Sequence, residues 1–132
     1  GKTVALLGFA FKQDTGDTRD SPAIPLCEKL LGEHANVRVH DPKALENAKI
    51  DLQEMQGNVR FVEDVYEAVD GVHAIALVTQ WAEYRELDFE RIYNKMVKPA
   101  FIFDGRNHLE HEKLFEIGFN VFPLGKPPLK HV

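Results

Sequence analysis

Apolar residues along the chain gather in short continuous runs separated by amphipathic stretches. Thr3 to Leu7 is the first run, closed by Gly8; its length suits a buried strand. After a polar loop, apolar residues at 23, 24, 26, 27, 30 and 31 share one helical face. Ser21-Pro22 reads as the N-cap and first helical position of that helix, Pro25 still lies in its first turn, and Gly32 supplies a stop. Val37 to His40 alternates as a strand and ends at Asp41-Pro42. Residues 43–56 read as a helix with Leu45, Ala48, Ile50 and Leu52 inward. Val59 to Val62 is a third strand, and Glu63 to Val69 a short helix with acidic residues in its first turn, closed by Gly71.

His73 to Val78 is a more apolar strand. Helical stretches follow around Trp81–Arg85 and Asp88–Met96. Ala100 to Phe103 reads as a strand buried on both faces, ending in Asp104-Gly105-Arg106-Asn107. Leu109 to Ile117 is helical and stops at Gly118, and Phe119 to Phe122 is the last strand. Six strands thus alternate with helices, and several are unbroken apolar runs, as expected where both sheet faces are covered. The pattern predicts an α/β, Rossmann-like, open and mostly parallel six-stranded sheet with helices on both faces. The domain spans 1–124; the polar, Pro-rich residues 125–132 are expected to form a flexible tail.

Length and composition narrow this picture. At 132 residues the chain is one domain. Lys and Arg total 16 against 21 Asp and Glu, a net charge of -5, which argues against a nucleic-acid partner because no general basic face is available. A local cationic pocket for one small anion is still compatible with that balance. The one cysteine, Cys27, excludes an intrachain disulfide and points to a reducing, cytoplasmic setting. No apolar run approaches the ~20 residues of a membrane span, so no membrane association is expected. The start at Gly1-Lys2, without Met and directly into an apolar strand, suggests a piece of a longer protein.

In sheets of this kind ligands bind beyond the carboxyl ends of the strands, where the strand order switches. The loops to inspect are 8–21, 79–82 and 104–108. The first is not a dinucleotide fingerprint, because Ala10 stands where G-x-G-x-x-G needs its second glycine. Nor does it end in the Gly-Lys-Ser/Thr of a P-loop. It offers instead the flat ring of Phe11, the point charge of Lys12 and the planar fork of Arg19. Arg106 follows a buried strand in a Gly-containing turn. An aromatic ring and three cations around one cleft suit a nucleoside diphosphate. The competing reading puts Phe11 in the core and pairs Arg19 with Asp17 or Asp20.

Other groups are weaker candidates. Asp14, Asp17 and Asp20 lack the spacing of an EF-hand; loop capping is preferred to metal. His108 and His111 are three apart but have no evident third ligand, so no metal site is assigned. Trp81 and Tyr84 either line the cleft or pack the core, with packing preferred. Asp104 either orients Arg106 or caps the next turn. Residues 83–91 read as a solvated helical face.

Two stretches carry a resemblance: Gly8-Phe9-Ala10-Phe11-Lys12 with Asp14-Thr15-Gly16-Asp17-Thr18-Arg19-Asp20-Ser21-Pro22-Ala23, and Phe101-Ile102-Phe103-Asp104-Gly105-Arg106-Asn107. Together with His40-Asp41-Pro42, Ala68 to Ala74 and Thr79-Gln80-Trp81, they resemble the C-terminal, UDP-binding domain of the UDP-glucose 6-dehydrogenases, in the UDP-glucose/GDP-mannose dehydrogenase family. The likeness covers residues 1–124. It implies an oxidoreductase, with an N-terminal NAD-binding domain and a central dimerising helix elsewhere in the same polypeptide, and hence a homo-oligomeric parent. The parent oxidises UDP-glucose to UDP-glucuronate, a precursor for polysaccharide biosynthesis, in two NAD-dependent steps through a cysteine-bound thioester.

By the same resemblance Phe11, Lys12 and Arg106 contact the UDP-sugar substrate, and Arg19 reaches across a domain interface toward NAD. No catalytic residue falls within the chain. The catalytic cysteine belongs to an earlier segment, whereas Cys27 lies on an apolar helix face. The 132 residues alone are therefore expected to be inactive. Two alternatives stand beside this reading: the same domain of a sister dehydrogenase acting on GDP-mannose or a UDP-N-acetyl-hexosamine, and a stand-alone, non-catalytic nucleotide-binding module.

Overall fold

The computed structural model describes residues 1–132. The strands are β1 (Thr3–Leu7), β2 (Asn36–His40), β3 (Asn58–Phe61), β4 (Ala74–Leu77), β5 (Phe101–Asp104) and β6 (Asn120–Pro123). The helices are α1 (Ala23–Gly32), α2 (Leu45–Asp51), α3 (Val65–Ala68), α4 (Phe89–Lys95) and α5 (His111–Ile117), with a 3₁₀ turn over Ala82–Glu86. All strand pairs are parallel, in the order β3-β2-β1-β4-β5-β6. This is the expected Rossmann-like sheet, and its order reverses between β1 and β4. Val4↔Ala74 through Leu7↔Leu77 set the register across that junction, so Gly8 and Val78 leave the sheet side by side. No helix is long and apolar enough to cross a membrane.

Right-handed crossovers dictate which helices cover which face. Moving from β1 to β2 to β3 puts α1 and α2 on one face, over that half of the sheet. Returning to β4 and moving on to β6 puts α3, α4 and α5 on the other. Arg38 of β2 ties α3 down, its Nη1 donating to the carbonyls of Glu67, Ala68 and Asp70 at 3.3, 3.4 and 2.6 Å. On the α1/α2 face Val37 and Val39 are sealed. On the same face of β5 and β6 no helix follows. There Phe101, Phe103 and Phe122 stack on one another, with Phe103 and Phe122 centroids 4.9 Å apart, and Phe103 is 45% exposed. The expectation that β5 is buried on both faces is thereby corrected.

Local differences have local causes. Gly32 stays inside α1, and His34, at φ 65°, takes the left-handed position that ends the turn. The helix expected over 43–56 covers only Leu45–Asp51, and Ile50, expected inward, is 62% exposed. Asp64 and Asp88 cap α3 and α4, accepting from the N–H groups of Tyr66 and Arg91. Residues 125–132 fold back along β6. Leu129 and Val121 exchange both backbone hydrogen bonds, and the His131 N–H donates to Asn120 Oδ1 at 2.7 Å.

Candidate functional site

The loop after β1 carries Phe11 and Lys12, and its backbone is held by the protein at successive groups. Gly8 leaves the strand at φ 94°, where a Cβ would lie 2.5 Å from the Thr79 backbone nitrogen. That contact explains why the first position of the loop is glycine. The N–H groups of Phe9 and Ala10 both donate to Asp41 Oδ2, at 2.7 and 2.9 Å. The Phe9 carbonyl accepts from Ser21 Oγ and the Ala10 carbonyl from Thr79 Oγ1, each at 2.7 Å. The Phe11 N–H donates to the Asp17 carbonyl at 2.7 Å. Ser21 also receives the Ala23 N–H, but the N-cap position of α1 falls on Pro22, without a side-chain cap; the serine expected there stands one residue earlier and clamps the loop.

Arg106 completes the frame. Its Nε donates to the Val78 carbonyl at 2.8 Å and its Nη2 to the Phe11 carbonyl at 3.2 Å. The guanidinium therefore spans the end of β4 and the loop from β1, across the sheet's switch point. Two of the five N–H donors of an arginine are used this way; Nη1 makes no protein hydrogen bond. Beneath it, Asp104 settles the choice left open between its two roles by performing both. Its Oδ1 accepts the Arg106 N–H at 3.1 Å, and its Oδ2 accepts from the backbone of His108 and Leu109 and from His111 Nε2, all at 2.8 Å. Each group bonded to this buried carboxylate fixes the turn that presents Arg106.

The structure thus brings Phe11 and Arg106 together. Phe11 is 44% exposed, not core, so its ring is open for stacking. Lys12 is exposed on the same loop. Arg19 is held elsewhere: its Nε and Nη2 grip the Asp17 carboxylate at 2.7–3.2 Å. This is the Asp17 pairing anticipated as the alternative. The Arg19 side chain remains 87% exposed. The guanidinium hydrogen bond and the Arg19 backbone N–H, aided by the charges of Arg19 and Lys12, hold the Asp17 carboxyl down to about 2. Asp17 thereby neutralises part of the cationic cluster expected from the sequence. Cys27 is sealed in the core and burial pushes its thiol up to about 11, which is the behaviour of a packing residue rather than a nucleophile.

Sequence reasoning missed the framework. Asp41, 3% exposed, accepts five donors: Phe9, Ala10, Lys43 and Ala44 N–H and the Trp81 indole Nε1 at 3.1 Å. Trp81 is buried, as preferred, and so is Tyr84, whose hydroxyl lies 2.9 Å from His40 Nδ1. The available signal for Asp41 was an Asp-Pro pair at the end of a strand; three of its five partners, Phe9, Ala10 and Trp81, lie 31 to 40 residues away.

Comparison with known proteins agrees with this architecture. Residues 5–111 match the UDP-glucose/GDP-mannose dehydrogenase family, UDP binding domain. UDP-glucose 6-dehydrogenase 5 of Oryza sativa subsp. japonica is 45% identical over 145 aligned positions, covering 96% of this chain and 30% of that protein. The chain therefore spans less than a third of the curated relative's length. Among solved structures, an NDP-N-acetyl-D-galactosaminuronic acid dehydrogenase from Methanosarcina mazei Go1 superposes with a TM-score of 0.79 at 28% identity, over 96% of this chain and 25% of that one. A UDP-glucose dehydrogenase from Pyrobaculum islandicum gives 0.70 at 31% identity, over 90% and 26%. A matched family model over most of the chain, on the sheet order and loop frame just described, makes this protein a member of the UDP-glucose/GDP-mannose dehydrogenase family, comprising its UDP-binding domain.

Proposed function

We propose that this domain holds the UDP part of UDP-glucose in an NAD-dependent UDP-glucose 6-dehydrogenase, so that the sugar projects toward catalytic groups supplied by the rest of a longer polypeptide. The observation that carries the reading is Arg106: a guanidinium fixed by two carbonyls at the switch point, with Nη1 uncommitted, beside the open ring of Phe11. Phe11 stacks on the base or packs the ribose, Lys12 supplies a mobile charge, and Arg106 takes a phosphate oxygen by a charge-assisted bond. Binding energy gathered at the nucleotide positions the reacting carbon at a distance.

The residues present do not form a dinucleotide site. Ala10 replaces the second glycine, and the first N–H groups of the loop are taken by Asp41. NAD is accordingly assigned to another domain of the parent, with Arg19 as this chain's one contact. Releasing Arg19 from Asp17 is the cost of that contact. The functional unit is residues 1–124, with 125–132 an appended tail, in a reducing, cytoplasmic setting and a homo-oligomeric parent.

The test is Arg106→Ala in the full-length enzyme. Loss of a charged hydrogen bond is worth about 1.5–3 kcal/mol, so KM for UDP-glucose should rise at least tenfold. An unchanged KM and kcat would remove Arg106 from the site. Assaying the same enzyme against GDP-mannose and UDP-N-acetyl-hexosamines separates the sister activities. A clear preference for one of those would replace UDP-glucose as the substrate.

A further inference from the structure

The N–H groups that open the first β–α turn of a dinucleotide-binding sheet face the ligand's pyrophosphate. Here they face a carboxylate of the protein itself. Asp41 Oδ2 receives Phe9 N–H, Ala10 N–H and the Trp81 indole, while Oδ1 receives Lys43 and Ala44 N–H at 2.8 and 2.9 Å. Five donors, none of them a cationic side chain, converge on one buried charge. The carboxylate comes from the end of β2, and its donors come from three separate segments: the loop after β1, the turn after β2 and the loop after β4, which carries Trp81. It thus joins the structures on both sides of the switch point.

We propose that Asp41 is a positioning residue for the nucleotide. It serves as a built-in anion that fills the phosphate position of the first turn and fixes the loop presenting Phe11 and Lys12, so that the nucleotide is held outside the turn by Arg106. The proposal rests on the UDP-binding reading above. The chemistry requires a carboxylate in particular. An asparagine would present an amide N–H₂ to donors on one side or the other, leaving N–H facing N–H. Thr79 is the second clamp on the same loop. Its hydroxyl holds the Ala10 carbonyl from a fully buried position and it does not touch Asp41 in any hydrogen bond.

The test is calorimetry of UDP binding to the 132-residue chain, well below its melting temperature, for wild type, Asp41→Asn and Thr79→Val. The emission of Trp81, the only tryptophan in the chain, is followed in parallel. Wild type is expected to bind UDP with a change in Trp81 emission. Asp41→Asn, still folded by circular dichroism, should bind at least tenfold more weakly, and Thr79→Val, which keeps the carboxylate, severalfold more weakly. Should Asp41→Asn not fold, Thr79→Val decides. Folded variants with unchanged affinity would make the hub merely structural and overturn the proposal while leaving the UDP reading intact. Failure of wild type to bind UDP would overturn both.

Discussion

His40 shows how one buried side chain sets a pH limit on the site's foundations. It is 3% exposed at the end of β2, next to Asp41, and its Nδ1 lies 2.9 Å from the Tyr84 hydroxyl. The same hydroxyl donates to the His40 carbonyl at 3.3 Å. Burial lowers the ring's pKa below 6.5, against the opposing pull of Glu83 and Asp41, and burial likewise holds the Tyr84 phenol well above its usual value. The unfolded chain therefore takes up a proton at His40 before the folded chain does. Stability from this site is complete above pH 6.5 and is lost as pH falls through 6.5 toward the lower folded value. Urea melts at pH 7.5 and 5.5 should show lower stability at the acid end, with a slope of up to about 1.4 kcal/mol per pH unit per proton. His40→Asn should flatten that slope, and an equal slope in the variant would shift the effect to other groups. Residues of this kind are hard to read from sequence. Phe11 and Arg106 could be found because an aromatic and a cation at strand ends are unusual in themselves. His40 and Asp41 could not, because their roles depend on partners such as Tyr84 and Trp81, chosen by the fold.

At the scale of elements, the six strands were legible because each is a short apolar run, unbroken in β1, β4 and β5 and alternating with Arg38 in β2, and the apolar face of α1 fixed its place. Their ends were less so. Gly32 looked like the stop of α1, yet the left-handed residue is His34, since a helix ends where its capping bonds close and not at the nearest glycine. Ile50 looked inward, but the seven-residue α2 turns Ala48 to the core and leaves Ile50 on its exposed side. Gly8 is the element boundary on which the site depends. It combines φ 94° with a Cβ position 2.4 to 2.6 Å from Thr79 atoms, the backbone nitrogen among them. Neither strain can be relieved by turning a side chain. Gly8→Ala should cost at least ~2 kcal/mol from backbone strain and overlap, lowering the melting temperature by roughly 5–10 °C. It should also weaken UDP binding, because displacing Thr79 frees the Ala10 carbonyl. A variant that melts with wild type in a calorimetric scan would show that the β1 exit can open without cost.

The whole molecule is a two-sided sheet covered unequally, and that was invisible in the strand pattern. A phenylalanine on β5 reads the same whether a helix covers it or not; only the crossover rule, applied to the full strand order, reveals which half of which face stays bare. Strands β4 to β6 carry Ala74, Phe101, Phe103 and Phe122 on that half, and with Val4, Val97 and Pro99 they line a groove of about 530 Å³. Isolated surface apolar residues are ordinary, but a contiguous aromatic patch binds hydrophobic probes and drives association. The 132-residue chain in its folded state should therefore enhance the fluorescence of an anilinonaphthalene sulfonate dye and show a sedimentation coefficient that rises with concentration. Phe103→Glu puts a charge at the most exposed ring of the stack, where no core contact is lost, and should abolish most of both signals while shifting the melting temperature by only a few degrees. The site at the strand ends lies on loops that this face does not support, so UDP affinity should be the same in Phe103→Glu as in wild type. Dye binding that survives the substitution would place the adhesive surface elsewhere on the molecule.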